Sequence, residues 1–279
     1  MRFRVVIAGA SNQLGLRLAA ELVRRGMSPF GLARSPRPDN WPGDWLQQDL
    51  AELAGPVTAT ASAWVHAGPL ALLPEQAFSC KQLIVFSSTS VRTKLNSPAD
   101  ADRALADSLA DGESRAMALA KEAGCRCHVI RPTLIWGCGR DQNVSAIWRW
   151  LRRYRLLPVA SDCRGLRQPV HVDDLAAAVV RLLQADFASQ LWTLPGAEVL
   201  SYHDMLRRIQ RCVAGPTRVQ HLPDAIWQVL LACLPAPKRQ TVHAMLQRMG
   251  QNLDFSTKDW ETLGISPRGF HPSREDFHE

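Results

Sequence analysis

Gly9 and Gly15, with Asn12 midway between them, stand where an apolar β-branched run passes into an amphipathic one, in Val5-Val6-Ile7-Ala8-Gly9-Ala10-Ser11-Asn12-Gln13-Leu14-Gly15. A glycine turn between a strand and a helix brings backbone close to an anion, and the helix N-terminus behind it offers unpaired N–H groups. The spacing fits a dinucleotide-binding turn, with Ser11, Asn12, Gln13 and Leu14 lining it between the two glycines. Asparagine tolerates left-handed backbone, which lets the turn survive at the position of the middle glycine. The plain alternative is a strand-turn-helix with two incidental glycines. The next informative place lies about 20 residues on, where a carboxylate would hold the ribose 2′-hydroxyl of NAD. Here the run is Gly31-Leu32-Ala33-Arg34-Ser35-Pro36-Arg37, with no carboxylate between Glu21 and Asp39. A guanidinium at Arg34, with Ser35 as a further donor and Arg37 nearby, suits the 2′-phosphate of NADP. A solvated basic turn is the alternative. Asp49, followed by Leu50, is placed either to accept from an adenine amine or to cap the next helix.

These residues need a sheet to hold them. Short apolar runs alternate with longer amphipathic stretches, the pattern of a parallel sheet covered by helices. Strands are expected at 4–8, 29–32, 45–47, 63–66, 82–87 and 127–131. Helices are expected at 14–25 and within 98–123, the latter after a Ser-Pro-Ala-Asp start. The fold class is therefore α/β, a Rossmann-type doubly wound parallel sheet over 1–140, with a smaller, mainly helical C-terminal lobe over 141–279. Within the second segment, a strand at 169–172 and a helix at 173–184 are expected to return to the first domain. Helical segments follow near 202–214, 224–234 and 239–249, and Trp192, Trp227 and Trp260 read as lobe core.

The 279 residues carry 33 Lys+Arg against 26 Asp+Glu, a net charge of +7, with 46% hydrophobic residues. That composition excludes a disordered chain or a coiled coil. Only Lys81, Lys94, Lys121, Lys238 and Lys258 are lysines, so the excess is arginine. Seven cysteines without a C-x-x-C pair suggest free thiols in a reducing compartment. The N-terminal apolar run is too short for a secretory leader, and 225–234 is about half a membrane span. A cytoplasmic protein with no membrane partner is expected. Arg149, Arg152, Arg153 and Arg155, with Trp148 and Trp150, form a basic helix face. No nucleic-acid motif surrounds it, so a solvated face or an anion rim is expected and nucleic acid is not.

The chain resembles the short-chain dehydrogenase/reductase superfamily, in particular its extended branch of NAD-dependent epimerases and dehydratases acting on nucleotide sugars. The resemblance rests on the Gly9–Gly15 loop, Val65-His66-Ala67-Gly68-Pro69, Phe86-Ser87-Ser88-Thr89-Ser90-Val91, Ile130-Arg131-Pro132-Thr133 with Trp136-Gly137, and Arg167-Gln168-Pro169-Val170-His171-Val172-Asp173-Asp174. It implies that Ala67, Gly68, Ser87, Arg131, Pro132 and Leu50 border the cofactor. It implies that Ser88 polarises the reacting oxygen, with Thr89 and Arg167 on the substrate, Arg167 at its pyrophosphate. The alternatives are a loop cap for Ser88 and an ion pair with Asp162 or Asp174 for Arg167.

The branch carries out its proton transfer with a Tyr-x-x-x-Lys pair on the helix after the fifth strand. This chain has two tyrosines, Tyr154 and Tyr202, followed at the lysine position by Pro158 and Leu206. With Glu113 matched to the branch's glutamate, the two slots hold Leu105 and Leu109. Lys94 and Cys138 are the substitute candidates; His66, His128 and His171 read as packing. Two functions are expected in parallel. One is an NADP-dependent epimerase, dehydratase or oxidoreductase on a phosphorylated or nucleotide-linked small molecule, and the other a non-catalytic NADP-binding regulator. No metal is expected, and an oligomer is left open.

Overall fold

A computed structural model describes residues 3–53, 55, 57 and 61–277. The leading strands are β1 (Arg4–Ala8), β2 (Ser28–Ala33), β3 (Asp44–Gln47), β4 (Ala63–His66), β5 (Gln82–Phe86) and β6 (Arg126–Pro132). Helix α1 (Gln13–Arg24) follows β1, and α2 (Ser90–Thr93) and α3 (Asp100–Glu122) join β5 to β6. Then come β7 (Ile135–Trp136), α4 (Val144–Tyr154), β8 (Leu156–Val159), β9 (Leu166–Arg167), β10 (Val170–His171), α5 (Val172–Gln184) and β11 (Gln190–Leu194). The chain continues through β12 (Leu200–Ser201), α6 (Tyr202–Arg211), β13 (Arg218–His221), α7 (Asp224–Ala232), α8 (Ala236–Gly250) and α9 (Lys258–Leu263).

Seven strands form one sheet in the order β11-β6-β5-β4-β1-β2-β3, and every neighbouring pair is parallel. The expected doubly wound sheet is present, with its switch point between β1 and β4. Val5, Val6, Ile7 and Ala8 on β1 are fully buried, as are Leu83, Ile84 and Val85 on β5. Strands covered on both faces read as unbroken apolar runs, which is why the sequence shows them so clearly. On one face Leu14, Leu18 and Leu22 of α1 pack with Leu175, Val179 and Leu182 of α5. On the other, Ala116 and Ala120 of α3 close on Val6, Trp64 and Leu83. The small residues let the long helix lie close to the sheet.

Three expectations are corrected. The strand at 169–172 ends at His171, because the His171 Nδ1 accepts from the Asp173 N–H at 3.1 Å and starts α5 at Val172. β11 was not anticipated; it pairs with β6 and completes the sheet edge. Trp192 and Trp260 belong to the sheet's own core, while Trp227 packs in the lobe cluster around Leu231 and Met249. No helix among the described residues is long and apolar enough to cross a membrane.

Candidate functional site

The site begins at the C-terminal end of β1. Gly9 takes φ +81°, and a Cβ there would lie 2.9 Å from the backbone of Ala67 and Gly68. Its N–H donates to the Leu32 carbonyl at 2.9 Å, which ties the turn to β2. Gly15 serves a different purpose: a Cβ on it would come within 2.6 Å of Ala10, so it lets α1 fold back tightly on the turn.

Asn12 departs from expectation. Its backbone is extended, at φ −79° and ψ 168°, and not left-handed. It caps α1 instead: Oδ1 accepts from the Gly15 N–H at 2.9 Å and Nδ2 donates to the Ala67 carbonyl at 2.8 Å. The side chain thus stitches the β1 turn to the β4 turn and lies folded against protein.

Because β2 and β4 leave β1 in opposite directions, a crevice opens at the strand ends. It holds a cavity of about 710 Å³ bordered by Ser11, Asn12, Gln13 and Leu14 on one side and Ala67, Gly68, Ser87 and Ser88 on another, with Pro132 and Arg140 across from them. All of these except Ser88 and Arg140 are residues expected at the cofactor. Leu50 packs at the cavity's edge, where Gly68 is held near the Leu50 Cδ1.

The Arg34 guanidinium is exposed, 3.9 Å from the Asp49 carboxylate. The backbone carbonyls of Arg34 and Ser35 are fixed by Gln47 Nε2 at 3.1 Å and Trp45 Nε1 at 3.3 Å. The Ser35 hydroxyl is buried without a hydrogen-bond partner. Arg37 is turned to the Trp41 carbonyl at 3.0 Å. Of its two readings, Asp49 takes the capping one, accepting from the Ala51 N–H at 2.9 Å.

Ser87 and Arg131 are joined through Glu113. The Ser87 hydroxyl and the Arg131 Nη2 both bond its carboxylate, and Arg131 Nε donates at 2.8 Å. The guanidinium of Arg131 is therefore spent on the protein, and Ser87, not Arg131, borders the cavity. Ser88 makes the loop cap: its Oγ accepts from the Ser90 N–H at 3.1 Å. Thr89 gives its hydroxyl to the Pro132 carbonyl at 3.2 Å.

A second compartment, about 280 Å³, shares Ser88, Thr133 and Asn143 with the first and adds Lys94, Arg167, Arg248 and Phe255. Lys94 Nζ stands 2.7 Å from Asp102, which also takes the Ser97 hydroxyl at 2.8 Å and the Arg248 guanidinium. Burial would raise the Asp102 carboxyl, but Lys94, Ser97 and Arg248 together hold it down to about 2. Arg167 pairs with neither carboxylate named for it: Asp162 faces Arg164 at 3.5 Å and Asp174 faces Arg268 at 2.9 Å. Its fork goes to the carbonyls of Leu166 at 2.7 Å, Gln251 at 2.8 Å and Arg248, with the Tyr202 ring 5.0 Å from the guanidinium carbon. Burial brings this guanidinium down to about 10.

The tyrosines stand apart from the cavity. Tyr154 is exposed on α4, and burial raises Tyr202 to about 12. Leu109 lines the cavity and Leu105 is exposed. The histidines are packing groups. His66 Nε2 lies 3.0 Å from the Pro69 carbonyl, His128 Nδ1 accepts from Trp192 at 3.3 Å, and the His171 ring stands edge-on to Trp136. Burial holds His128 down to about 4 and lowers His66 as well. A buried imidazole that binds protons more readily once unfolded gives full stability above pH 6.5, lost as the pH falls towards 4. The urea midpoint is expected to fall between pH 7 and pH 4.5, and to fall less in His128→Gln; an equal fall in both assigns the loss elsewhere.

Arg149, from the basic face, donates to the carbonyls of Gly139 at 2.6 Å and Asp141 at 2.9 Å. Arg152 covers the Trp148 ring at 4.9 Å and Arg153 the Tyr154 ring at 5.5 Å. Arg155, with φ 61°, bonds the Ala214 carbonyl. Sequence reasoning missed Arg140, whose one signal was its place after the Gly137-Cys138-Gly139 loop.

Over 98% of the chain and 96% of the other, the structure is similar to MoeE5 solved with UDP-glucuronic acid and NAD, at TM-score 0.73 and 17% identity. It is similar to the UDP-glucose 4-epimerase of Thermus thermophilus in complex with NAD, at TM-score 0.72 and 15% identity over 99% of this chain and 97% of that one. The chain has the fold of the nucleotide-sugar epimerases. The UDP-N-acetylglucosamine 4-epimerase of Bacillus cereus shares that epimerase fold at TM-score 0.70 and 14% identity, over 99% and 95% of the two chains. In sequence, 121 residues are 26% identical to the UDP-glucose 4-epimerase of Vibrio cholerae, covering 43% of this chain and 36% of that protein. Another 28% match, over 199 residues, is to an uncharacterized protein of Mycobacterium tuberculosis, covering 64% of this chain and 20% of the other. The matches thus span about a third of one curated relative and a fifth of the other. No protein-family model matches the chain.

Proposed function

We propose that the chain is an NADP-dependent enzyme of the epimerase, dehydratase or reductase kind, acting on a substrate that carries a phosphate or a nucleotide. The observation that carries the reading is the Gly9 turn. Its left-handed backbone sits so close to Ala67 and Gly68 that a side chain is excluded, and the residues that follow it, Ser11 to Leu14, border a cavity large enough for a dinucleotide. When bound, the nicotinamide supplies a hydride acceptor or donor. The protein's residues do the rest. Ser11, Gln13 and Leu14 receive the phosphates on backbone N–H groups, while Gly9, whose N–H is held by Leu32, and Asn12 and Gly15 set the turn's shape. Arg34 and the unpartnered Ser35 hydroxyl take the 2′-phosphate. Asp49, as cap of its turn, sets the rim beside Leu50.

On the substrate side, Ser88 orients the reacting oxygen. Lys94, Arg167 and Arg248 make the second compartment cationic, suited to a substrate phosphate, with Thr89 and Thr133 at the passage between compartments. Arg167 acts there by its charge and by fixing the 248 and 251 backbone, since its hydrogen bonds are already made. Lys94, paired with Asp102, and water from the open mouth are the proton carriers this chain brings to the substrate.

The test is cofactor titration followed by the fluorescence of Trp41 and Trp45, which pack beside the β2 end. NADP(H) is expected to bind more tightly than NAD(H). Arg34→Ala is expected to weaken NADP about tenfold or more while NAD changes about twofold or less, the loss of one charged hydrogen-bonding partner. Equal losses for both overturn the choice of NADP. Millimolar or weaker binding of both cofactors to the native chain overturns the function.

A further inference from the structure

We propose that Arg140 is a phosphate-binding residue, delivered from the loop after β7 onto the pyrophosphate of the dinucleotide. The inference rests on the reading above and assigns to it a residue outside the glycine turn. The argument starts from charge. A pyrophosphate bridge brings two negative charges to the turn, and the turn itself supplies only neutral donors. The first-turn N–H groups of a helix have no intrahelical partner, but the Gly15 N–H is already taken by Asn12 Oδ1 at 2.9 Å. The nearest cation on α1, Arg17, is held by Asp173 through two bonds of 2.6 and 2.7 Å. Helix N-termini favour anions, yet the effect alone is worth only about 0.3–1 kcal/mol at an exposed surface.

Across the cavity, Arg140 and Asp141 are the charged residues of the lining. Asp141 is turned inward, accepting from the N–H groups of Asn143 and Ser145 at 3.0 Å each, so it caps α4 and is not aimed at the crevice. Arg140 is exposed, and its Nη1 reaches across to the Ser11 carbonyl at 3.3 Å. The guanidinium already stands at the phosphate turn, on an acceptor that a phosphate oxygen would outmatch, because a charged acceptor gives a shorter and stronger bond.

The loop is built to hold that aim. Gly139 takes φ +69°, which only glycine adopts readily, and turns the chain into residue 140. Its N–H donates to the Asp276 carbonyl at 2.9 Å. Arg149 clamps the carbonyls on both sides of Arg140, at Gly139 and Asp141. A fixed backbone carrying a long side chain that reaches across the crevice is the arrangement of a phosphate clamp. It also gives part of the basic α4 face a use: Arg149 is a positioning residue for the Arg140 loop.

The experiment compares the native chain with Arg140→Gln and Arg140→Lys, titrated with NADP, NAD and adenosine 2′,5′-bisphosphate by isothermal calorimetry. Arg140→Gln is expected to weaken NADP and NAD alike, by about 10- to 100-fold, the range for a charged hydrogen-bonded pair. Arg140→Lys keeps the charge without the fork and is expected to recover part of the loss. The bisphosphate lacks the second phosphate of the bridge and is expected to lose less than NADP. A slope of affinity against salt that is shallower in Arg140→Gln than in the native chain is expected as well, since one cation has left the site. The thermal midpoint of each variant without ligand is measured alongside, so that a loss of folding is told apart from a loss of binding. Native-like binding of both dinucleotides to Arg140→Gln overturns the assignment while the proposed function stands. Failure of the native chain to bind either dinucleotide overturns both.

Discussion

Gly9→Ala is expected to abolish measurable dinucleotide binding, a loss greater than about 100-fold, and to destabilise the chain by about 2–5 kcal/mol. Two costs are added at this position. An L-residue at φ +81° is strained, and its Cβ would lie 2.9 Å from the Ala67 and Gly68 backbone, which is strand-end main chain and has nowhere to move. Overpacking against backbone costs about 1–3 kcal/mol, and left-handed strain about 1–2 kcal/mol. The two are separable by a control in the same molecule. Gly26 has φ +75° with nothing within 4 Å of a built Cβ, so Gly26→Ala carries the strain alone. It should cost about 1–2 kcal/mol in urea unfolding and leave NADP titration unchanged. If Gly9→Ala binds cofactor as Gly26→Ala does, the close approach at the turn is not what forms the site.

Strands β1, β4, β5 and β6 could be read to within two residues because each is buried on both faces, so that sequence polarity and position in the sheet are the same fact. β11 escaped because its pattern is that of an edge: Gln190 is exposed, Trp192 and Leu194 are buried, and a five-residue alternation does not separate a strand from a loop. Asn12 shows a different limit. Its residue type fits both a left-handed turn and a helix cap, and the choice was decided by Gly15 and Ala67, one of them distant in sequence. Arg167 was expected at a substrate pyrophosphate or in an ion pair with Asp162 or Asp174, yet its partners proved to be backbone carbonyls, two of them at the α8 end, which leave no trace in side-chain type. Arg140 had the opposite history: its residue type was visible, but only the folding of the β7 loop onto Ser11 gives it a place. In general, what depended on burial was legible, and what depended on which two loops meet was not.

Glu113→Ala is expected to lower stability by about 3–5 kcal/mol, the cost of leaving a buried charge without its partner. The Arg131 and Glu113 side chains are only 18% and 6% exposed. The carboxylate takes both prongs of the Arg131 fork and the Ser87 hydroxyl, so its removal orphans three donors on two side chains at once. For a chain of this size, about 2–4 °C of thermal midpoint per kcal/mol translates the loss into a drop of roughly 10 °C. The double variant Glu113→Leu with Arg131→Met removes both charges and should regain most of that stability, since an apolar pair of similar volume avoids the desolvation cost. Function should separate from stability here. Ser87 lies on the cavity wall and is held by the carboxylate, so the double variant, though stable, should still bind NADP more weakly than the native chain, with a free Ser87 hydroxyl and no fixed wall. Calorimetric unfolding and cofactor titration on the same three proteins decide it. A double variant that is as unstable as Glu113→Ala shows that the network holds the fold by more than charge pairing. One that is stable and binds natively shows that Ser87 needs no positioning. Only the combination of regained stability with weakened binding identifies Ser87, Glu113 and Arg131 as a brace that the fold could do without and the site could not.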